Sequence, residues 1–408
     1  MDALTKKKRV ALVVAHLGPG GAQRVVATAA NALADRGIDV HVVTILEGPP
    51  DAYNLDARVK RHRRGLVQSS TIPNRAVEKL SHTSSLPFMH PKEKGGDPRG
   101  VVQLINFLKR PLAVVKFGMG LHQRARWLRQ IIRQIAPDAV LSFLTQTNIL
   151  TILATWDMGL RIVVSERNDP RLQKHRRRVV LMRKFFYPWA GVVTANSHGA
   201  VTELSKFVPK HKLAFLPNPL RPSLNAAPIT FAGPTFVTVT RLVEQKGVDV
   251  LIKATAQAFE TLAGWRLAIV GDGPLRGELQ ELAKKLGISA RIDWFGHVSD
   301  PSPHLAASRF FVLTSRFEGS PNALLEAMAC GLPAIVSDAS PGPLELIGDE
   351  EAGLIVPVED VDATSLALVR LATDAALQAK LGKAAQDRTR VHHLPNAMQV
   401  WLKVLDCN

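Results

Sequence analysis

The sequence predicts an α/β protein of two halves, each wound around a parallel sheet, facing each other across a cleft. Three observations lead there. The chain has 408 residues, more than one compact core usually takes. Short apolar, β-branched runs alternate with helical patterns through both halves, which is how helix-covered parallel sheets are written. A Pro-, Asn- and Ala-rich segment over 218–234 breaks the alternation and reads as a linker, after which a new strand starts at Thr235.

The first half opens with a strand over 10–15, then Gly18-Pro19-Gly20-Gly21, a helix over 22–36, Gly37 and a strand over 40–44. This βαβ unit sets a helix N-terminus at the C-terminal edge of a strand, where α/β proteins bind ligands. The Gly20-Gly21 turn lacks the spacing of a dinucleotide fingerprint, and a tight turn without a ligand explains it equally well. Residues 60–125 break the rhythm. Lys60-Arg61-His62-Arg63-Arg64 opens them, and Ser, Pro, His and Gly scatter through 68–100, which reads as a mobile loop. The stretch 101–128 mixes apolar and basic residues, as does a helix lying on a membrane surface; helices packed on the sheet look similar. Strands over 139–143 and 161–165 follow, with a helix opening at Thr145 between them. A basic helix over 171–189, a strand over 191–195, the turn Asn196-Ser197, a further helix and a strand over 213–217 complete the half.

The second half starts with a strand over 235–240, the loop Arg241 to Gly247 and a helix to Phe259. A strand over 266–270 ends in Gly271-Asp272-Gly273-Pro274 and leads to a helix ending at Leu286. Strands over 292–295, 309–314 and 334–337 make up a second parallel sheet, and helices over 364–405 close the chain.

The most informative stretch is 315–333, where Glu318 and Glu326 stand eight apart around a helix start. Ser320 suits an N-cap and Pro321 the first helical position. Glu318 then falls on the loop and Glu326 about a turn and a half into the helix. Free N–H groups at such a terminus attract an anion. Two carboxylates beside them suit a ligand with both phosphates and hydroxyls, as a sugar nucleotide has. An ordinary exposed helix with two solvated acids is the alternative. The strand before the stretch and the Gly331-Leu332-Pro333 turn into the strand after it weigh against that alternative.

This block resembles the nucleotide-sugar site of the retaining glycosyltransferases of family 4, whose GT-B fold sets two Rossmann-like domains around a cleft. The resemblance is strong over 235–347 and weaker before 220. It implies an acceptor-binding domain over 1–220, a nucleotide-sugar-binding domain over 235–385 and a final helix over 386–408 that packs back on the first domain. It also implies that Arg241 and Lys246 bind the donor diphosphate, Glu326 the ribose and Glu318 the donor sugar. The backbone of Gly319, Ser320, Pro321 and Asn322 is placed toward sugar or phosphate, with N–H donors from all but Pro321. Gly271, Gly273, Pro274, His297 and Val298 are placed beside the base, with plain turn chemistry as their alternative. The run Gly20-Gly21-Ala22-Gln23-Arg24 resembles the family's first-domain loop near the donor phosphate, with Gly20 and Gly21 as its binding candidates. Where the family often carries a histidine near the donor sugar, this chain has Ser165-Glu166-Arg167-Asn168. That form resembles a subgroup making bacterial surface polysaccharides, often from galactose-type donors. Glu166 and Arg167 are therefore substrate-binding candidates, or else a structural ion pair.

The implied reaction is retaining transfer of a hexose or N-acetylhexosamine from a nucleoside-diphosphate sugar, a UDP-sugar before GDP-mannose, to a lipid-linked oligosaccharide. There is no DxD or His/Asp cluster at a suitable strand end for a metal, so no metal and no cofactor is expected beyond the donor as co-substrate. The same chemistry on a soluble acceptor such as a sugar phosphate is the second reading. Residues 1–220 hold 35 Lys and Arg against 14 Asp and Glu, while the rest hold 17 against 21. So basic a first half should attract anionic partners. With few aromatics and no recognition motif, nucleic acid is not expected. An anionic membrane surface is expected, through Lys60 to Arg64, 101–128 and 171–184. The two cysteines, Cys330 and Cys407, match no metal spacing and fit a reducing compartment. The apolar run over 10–17 is short for a signal peptide, and no run reaches the length of a membrane span. The expected location is the cytoplasm, peripheral at the inner face of its membrane.

Overall fold

A computed structural model describes residues 7–64, 120–168, 170, 176–221 and 227–407. The mobile-loop expectation for 68–100, most of the 101–128 stretch, the start of the basic helix and part of the linker lie outside them.

The first sheet holds β1 (Arg9–Val14), β2 (Asp39–Thr44), β3 (Lys60–Arg63), β4 (Ala139–Phe143), β5 (Arg161–Glu166), β6 (Val192–Ala195) and β7 (Leu213–Phe215). Their spatial order is β3-β2-β1-β4-β5-β6-β7, and every neighbouring pair is parallel. Connections run through α1 (Gly21–Asp35), α2 (120–135), α3 (Thr145–Thr155), α4 (Arg177–Phe186) and α5 (His198–Leu204). Val10, Ala11, Leu12, Val13 and Val14 are all fully buried, as a strand covered on both faces must be.

Strand β3 was not expected. The basic run read as the start of a loop is an edge strand, paired from His41↔Lys60 to Thr44↔Arg63. It carries no apolar alternation, so nothing in its pattern announces a strand. Acids on neighbouring segments satisfy its cations: Lys60 meets Asp39 at 2.9 Å and Arg63 meets Asp51 at 2.6 Å.

The second sheet holds β8 (Thr235–Val239), β9 (Arg266–Val270), β10 (Ile292–Gly296), β11 (Phe310–Leu313), β12 (Ala334–Ser337) and β13 (Gly353–Val356), in order β10-β9-β8-β11-β12-β13, again parallel. Its helices are α6 (Val248–Thr261), α7 (Arg276–Lys285), α8 (Ser302–Ala307), α9 (Asn322–Ala329), α10 (Pro341–Ile347), α11 (Val361–Thr373) and α12 (Ala375–Arg388). Strand order reverses between β1 and β4 in one sheet and between β8 and β11 in the other. Ligand crevices open at the strand C-termini of such points.

The final helix, α13 (Leu394–Leu405), belongs to the first core. Met398, Trp401, Val404 and Leu405 pack with Val10, Leu12 and Leu141. Trp401 stacks on Phe143 at 6.1 Å and donates its indole N–H to the Pro217 carbonyl at 2.9 Å. The chain thus passes between the halves twice, and the two passes touch. His392 Nδ1 donates to Asn218 O at 3.0 Å, and Leu220 N donates to His392 O at 2.8 Å.

Candidate active site

The two crevices face each other across one cavity of about 590 Å³. Its walls are strand-end loops. On the first side Gly20 and Gly21 precede α1, whose N-terminus points at the cavity. Tyr53 pins this turn, its hydroxyl 3.2 Å from Gly20 N and donating to Gly20 O at 3.1 Å. On the second side the N-terminus of α9 faces the same space. The sequence reading had Ser320 as its cap. The helix instead starts at Asn322, with Pro321 at the cap position and no side-chain cap. Pro321 is extended there (φ −73°, ψ 115°), which moves the start one residue on and leaves Ser320 on the cavity wall.

Loop 241–247 and loop 314–321 form one unit. Thr314 Oγ1 donates to Gly247 O at 2.9 Å, and Gln245 Nε2 donates to Phe317 O at 2.9 Å. Arg316 clasps Asp249 at 2.9 Å and Glu359 at 2.7 Å, so it ties both loops to α6 and the sheet edge. Gly247 is required here. Its φ is +58°, and a Cβ would sit 2.0 Å from Thr314 O.

Within this unit Lys246 forms an ion pair with Glu318. The carboxylate is nearly buried and also accepts from Ser315 Oγ at 2.8 Å, while Glu318 N donates to Ser340 Oγ at 3.1 Å. Arg241 is exposed at the cavity and makes no ion pair among the described residues. Gly319, Asn322, Gly271, His297 and Val298 line the same cavity, whereas Gly273 and Pro274 lie off it. Gly319 also brings the halves together, since a Cβ on it would lie 2.4 Å from Arg167 O.

Two expected site residues are placed differently. Glu326 does not reach the cavity. Its carboxylate is held by Arg24 of α1 at 3.0 Å and by Arg221 of the crossing segment at 3.1 Å. A carboxylate buried to this degree needs such partners. Glu166 is fully buried in the first half, because β5 runs one residue further than expected and turns it inward. It accepts from Thr145 Oγ1 at 2.8 Å and from the Tyr187 hydroxyl. Burial pushes its carboxyl upward and pushes the Tyr187 phenol well above its ordinary value. Glu166 is thus an interior hydrogen-bonding group.

Arg167 forms no ion pair with Glu166 either. Its guanidinium stacks over Phe143 and Trp401, 5.2 and 5.5 Å from the ring centroids, and donates to Leu216 O and Asn218 Oδ1. Burial without a carboxylate lowers its pKa to about 9. Asn218 then reaches on to Asn322 Oδ1 at 2.8 Å, and Asn322 donates to Gly21 O at 3.1 Å. This chain of contacts links both cavity-facing helix N-termini to the crossing segment. Sequence reading missed Asn218, Arg221 and Tyr53, which carry no local signal. Arg24, at the end of the loop that resembles the family's first loop, lines the cavity but turns its guanidinium to Glu326.

Family profiles match nearly the whole chain. Residues 229–388 match "Glycosyl transferases group 1" and residues 20–219 match "Glycosyl transferase 4-like domain". Over 400 residues the chain is 25% identical to the N-acetylgalactosamine-N,N'-diacetylbacillosaminyl-diphospho-undecaprenol 4-alpha-N-acetylgalactosaminyltransferase of Campylobacter jejuni, covering 94% of this chain and 95% of that one. It is 36% identical over 185 residues to an exopolysaccharide phosphotransferase of Streptomyces coelicolor; the match covers 45% of this chain but only 19% of that protein's length. Among solved structures, sucrose-phosphate synthase from Thermosynechococcus elongatus superimposes with a TM-score of 0.73 at 18% identity, over 98% of this chain and all of the other.

Proposed function

The chain belongs to the group 1 glycosyltransferases with the GT-B fold, and from that premise we propose that it moves a sugar from a nucleoside-diphosphate donor to a lipid-linked saccharide during surface-polysaccharide assembly. The observation that carries this reading is the convergence of Lys246, Arg241 and the α9 N-terminus on one cavity, opposite the Gly20-Gly21 turn and the α1 N-terminus. A diphosphate leaving group develops negative charge as the anomeric bond breaks. Preorganised cations and N–H donors stabilise that charge more in the transition state than before it. Arg241 offers a fork of donors and Lys246 a compact charge.

The proposed transfer is retaining. The acceptor hydroxyl attacks C1 from the face the diphosphate leaves, and its proton goes to the departing phosphate oxygen. A double displacement needs a free carboxylate at the anomeric carbon. Glu318 is engaged by Ser315 and Lys246, which favours a positioning role beside the sugar. A lipid-linked acceptor is favoured because the relative matched over nearly its full length is named for a diphospho-undecaprenol acceptor. UDP-sugars are the first donors to try. Screening nucleotide sugars with a polyprenyl-diphosphate saccharide, with and without EDTA, tests the reading. Acceptor-dependent release of the nucleoside diphosphate that persists in EDTA supports it. Strict dependence on a divalent ion removes the assignment of diphosphate charge to Arg241 and Lys246 alone.

A further inference from the structure

The outward face of α4 carries an apolar surface that no described element covers. Leu181 and Phe185 on the helix are 66% and 60% exposed, Trp189 just beyond it 46%, and Trp156 at the end of α3 58%. The rings adjoin one another. Trp156 meets Trp189 at 5.8 Å, and Phe185 meets Trp189 at 5.3 Å. Leu181 lies one turn before Phe185, hence on the same face, with Arg177 one turn earlier still. Arg177 and Lys184 are exposed, while Val179 and Arg183 point inward.

Exposed large apolar side chains that cluster mark an interaction surface. The chemistry of this one selects its occupant. The helix has no acidic residue. The nearest acid in sequence to Trp156, Asp157, is already bound to Arg129 at 2.8 Å. Tryptophan, phenylalanine and leucine beside lysine and arginine suit the lipid–water interface. Rings settle there at headgroup depth and cations meet anionic headgroups. The basic run on β3, by contrast, spends its charges on Asp39 and Asp51.

We propose that the α4 face, with Trp156 and Trp189, is an interfacial anchor that seats the first half on an anionic bilayer. The inference deepens the lipid-acceptor reading and rests on it only for its purpose. The segment leading from β5 to α4 starts at Arg167 and Asn168 on the cavity wall. A helix lying flat on the headgroups therefore keeps the cavity mouth close to a diphosphate projecting from the membrane.

The test uses the full chain and vesicles of phosphatidylethanolamine with a minority of phosphatidylglycerol, without donor or acceptor. Wild type is expected to float with the vesicles at low salt with a blue-shifted tryptophan emission. It is expected to keep part of this binding at high salt, because salt screens charge and leaves apolar insertion intact. The Phe185→Ser, Trp189→Ser double variant is expected to bind about tenfold less at either salt, with unchanged melting temperature and donor hydrolysis. If that variant folds poorly, Leu181→Lys takes its place with the same expected loss. Arg177→Glu with Lys184→Glu is expected to lose the low-salt increment alone. Absence of wild-type binding, or full binding by a folded aromatic variant, overturns the proposal. So does sedimentation showing a wild-type dimer that the aromatic variant loses, which makes the face a contact between copies. Vesicle binding without transfer to any lipid acceptor leaves the anchor standing and removes the acceptor reading instead.

Discussion

Arg24, in the first turn of α1, crosses the cleft to Glu326 of α9, Nη2 to Oε1 at 3.0 Å, where Arg221 joins from the crossing segment at 3.1 Å. A residue of each half and one of the segment between them therefore share a single buried carboxylate. The contact holds the halves together and keeps off the cavity the carboxylate that the sequence resemblance sets against the donor ribose.

A double-mutant cycle on Arg24→Ala and Glu326→Gln should therefore show coupling of about 0.5–3 kcal/mol in stability. Glu326→Gln should also raise KM for the donor more than it lowers kcat, because Glu326 holds Arg24 and Arg221, which line the cavity, and contacts there act alike before and in the transition state. Additive stability effects together with an unchanged KM would remove both roles.

Glu318→Gln should act on kcat. Its carboxylate is fixed by Lys246, Ser315 and the Ser340-held backbone. An amide keeps the shape but not the charge that orients Lys246. A loss confined to kcat and kcat/KM marks an interaction realised in the transition state. A change in KM alone would place Glu318 away from the reacting sugar.

The fold was legible where side-chain pattern and burial agree. Strands β1, β4, β5 and β8 each carry an apolar run, are buried along nearly their whole length, and were found. Strand β3 was missed because its partners are charges. Strand β13 was missed because it opens with Gly353, a weak strand former, straight after the charged run 349–351. Among site residues, the Lys246–Glu318 unit follows from local order, since both loops leave strand C-termini. The fates of Glu166 and Glu326 were not legible. One extra residue in β5 decided the first, and arginines 302 and 105 positions away decided the second.

His392 gives a pH dependence. Burial lowers its pKa to about 4, against a smaller upward effect of its bond to Asn218 O. Between about pH 6.5 and 4 the unfolded chain binds a proton that the folded chain refuses. Stability should therefore fall as pH drops through that window, by up to about 3 kcal/mol from this residue. His392→Gln should flatten that part of the urea-midpoint profile, and an unchanged slope would show that other groups carry it.

Trp401→Ala should cost about 3–5 kcal/mol, because Trp401 is fully buried between Phe143 and Arg167 and holds the Pro217 carbonyl. Thermal unfolding should show the loss in the first half. A near-neutral result would mean that α13 does not depend on this anchor.

The measurement closest to the central claim compares wild type with Lys246→Ala for nucleoside-diphosphate release, across a panel of nucleotide sugars and a lipid-linked saccharide. Lys246 lines the cavity, and the proposed function sets it at the developing diphosphate charge. The account predicts acceptor-stimulated release by wild type and a loss of at least about a hundredfold in the variant, with its fold intact. Release by the variant at the wild-type rate, or no release by wild type from any donor, would contradict it.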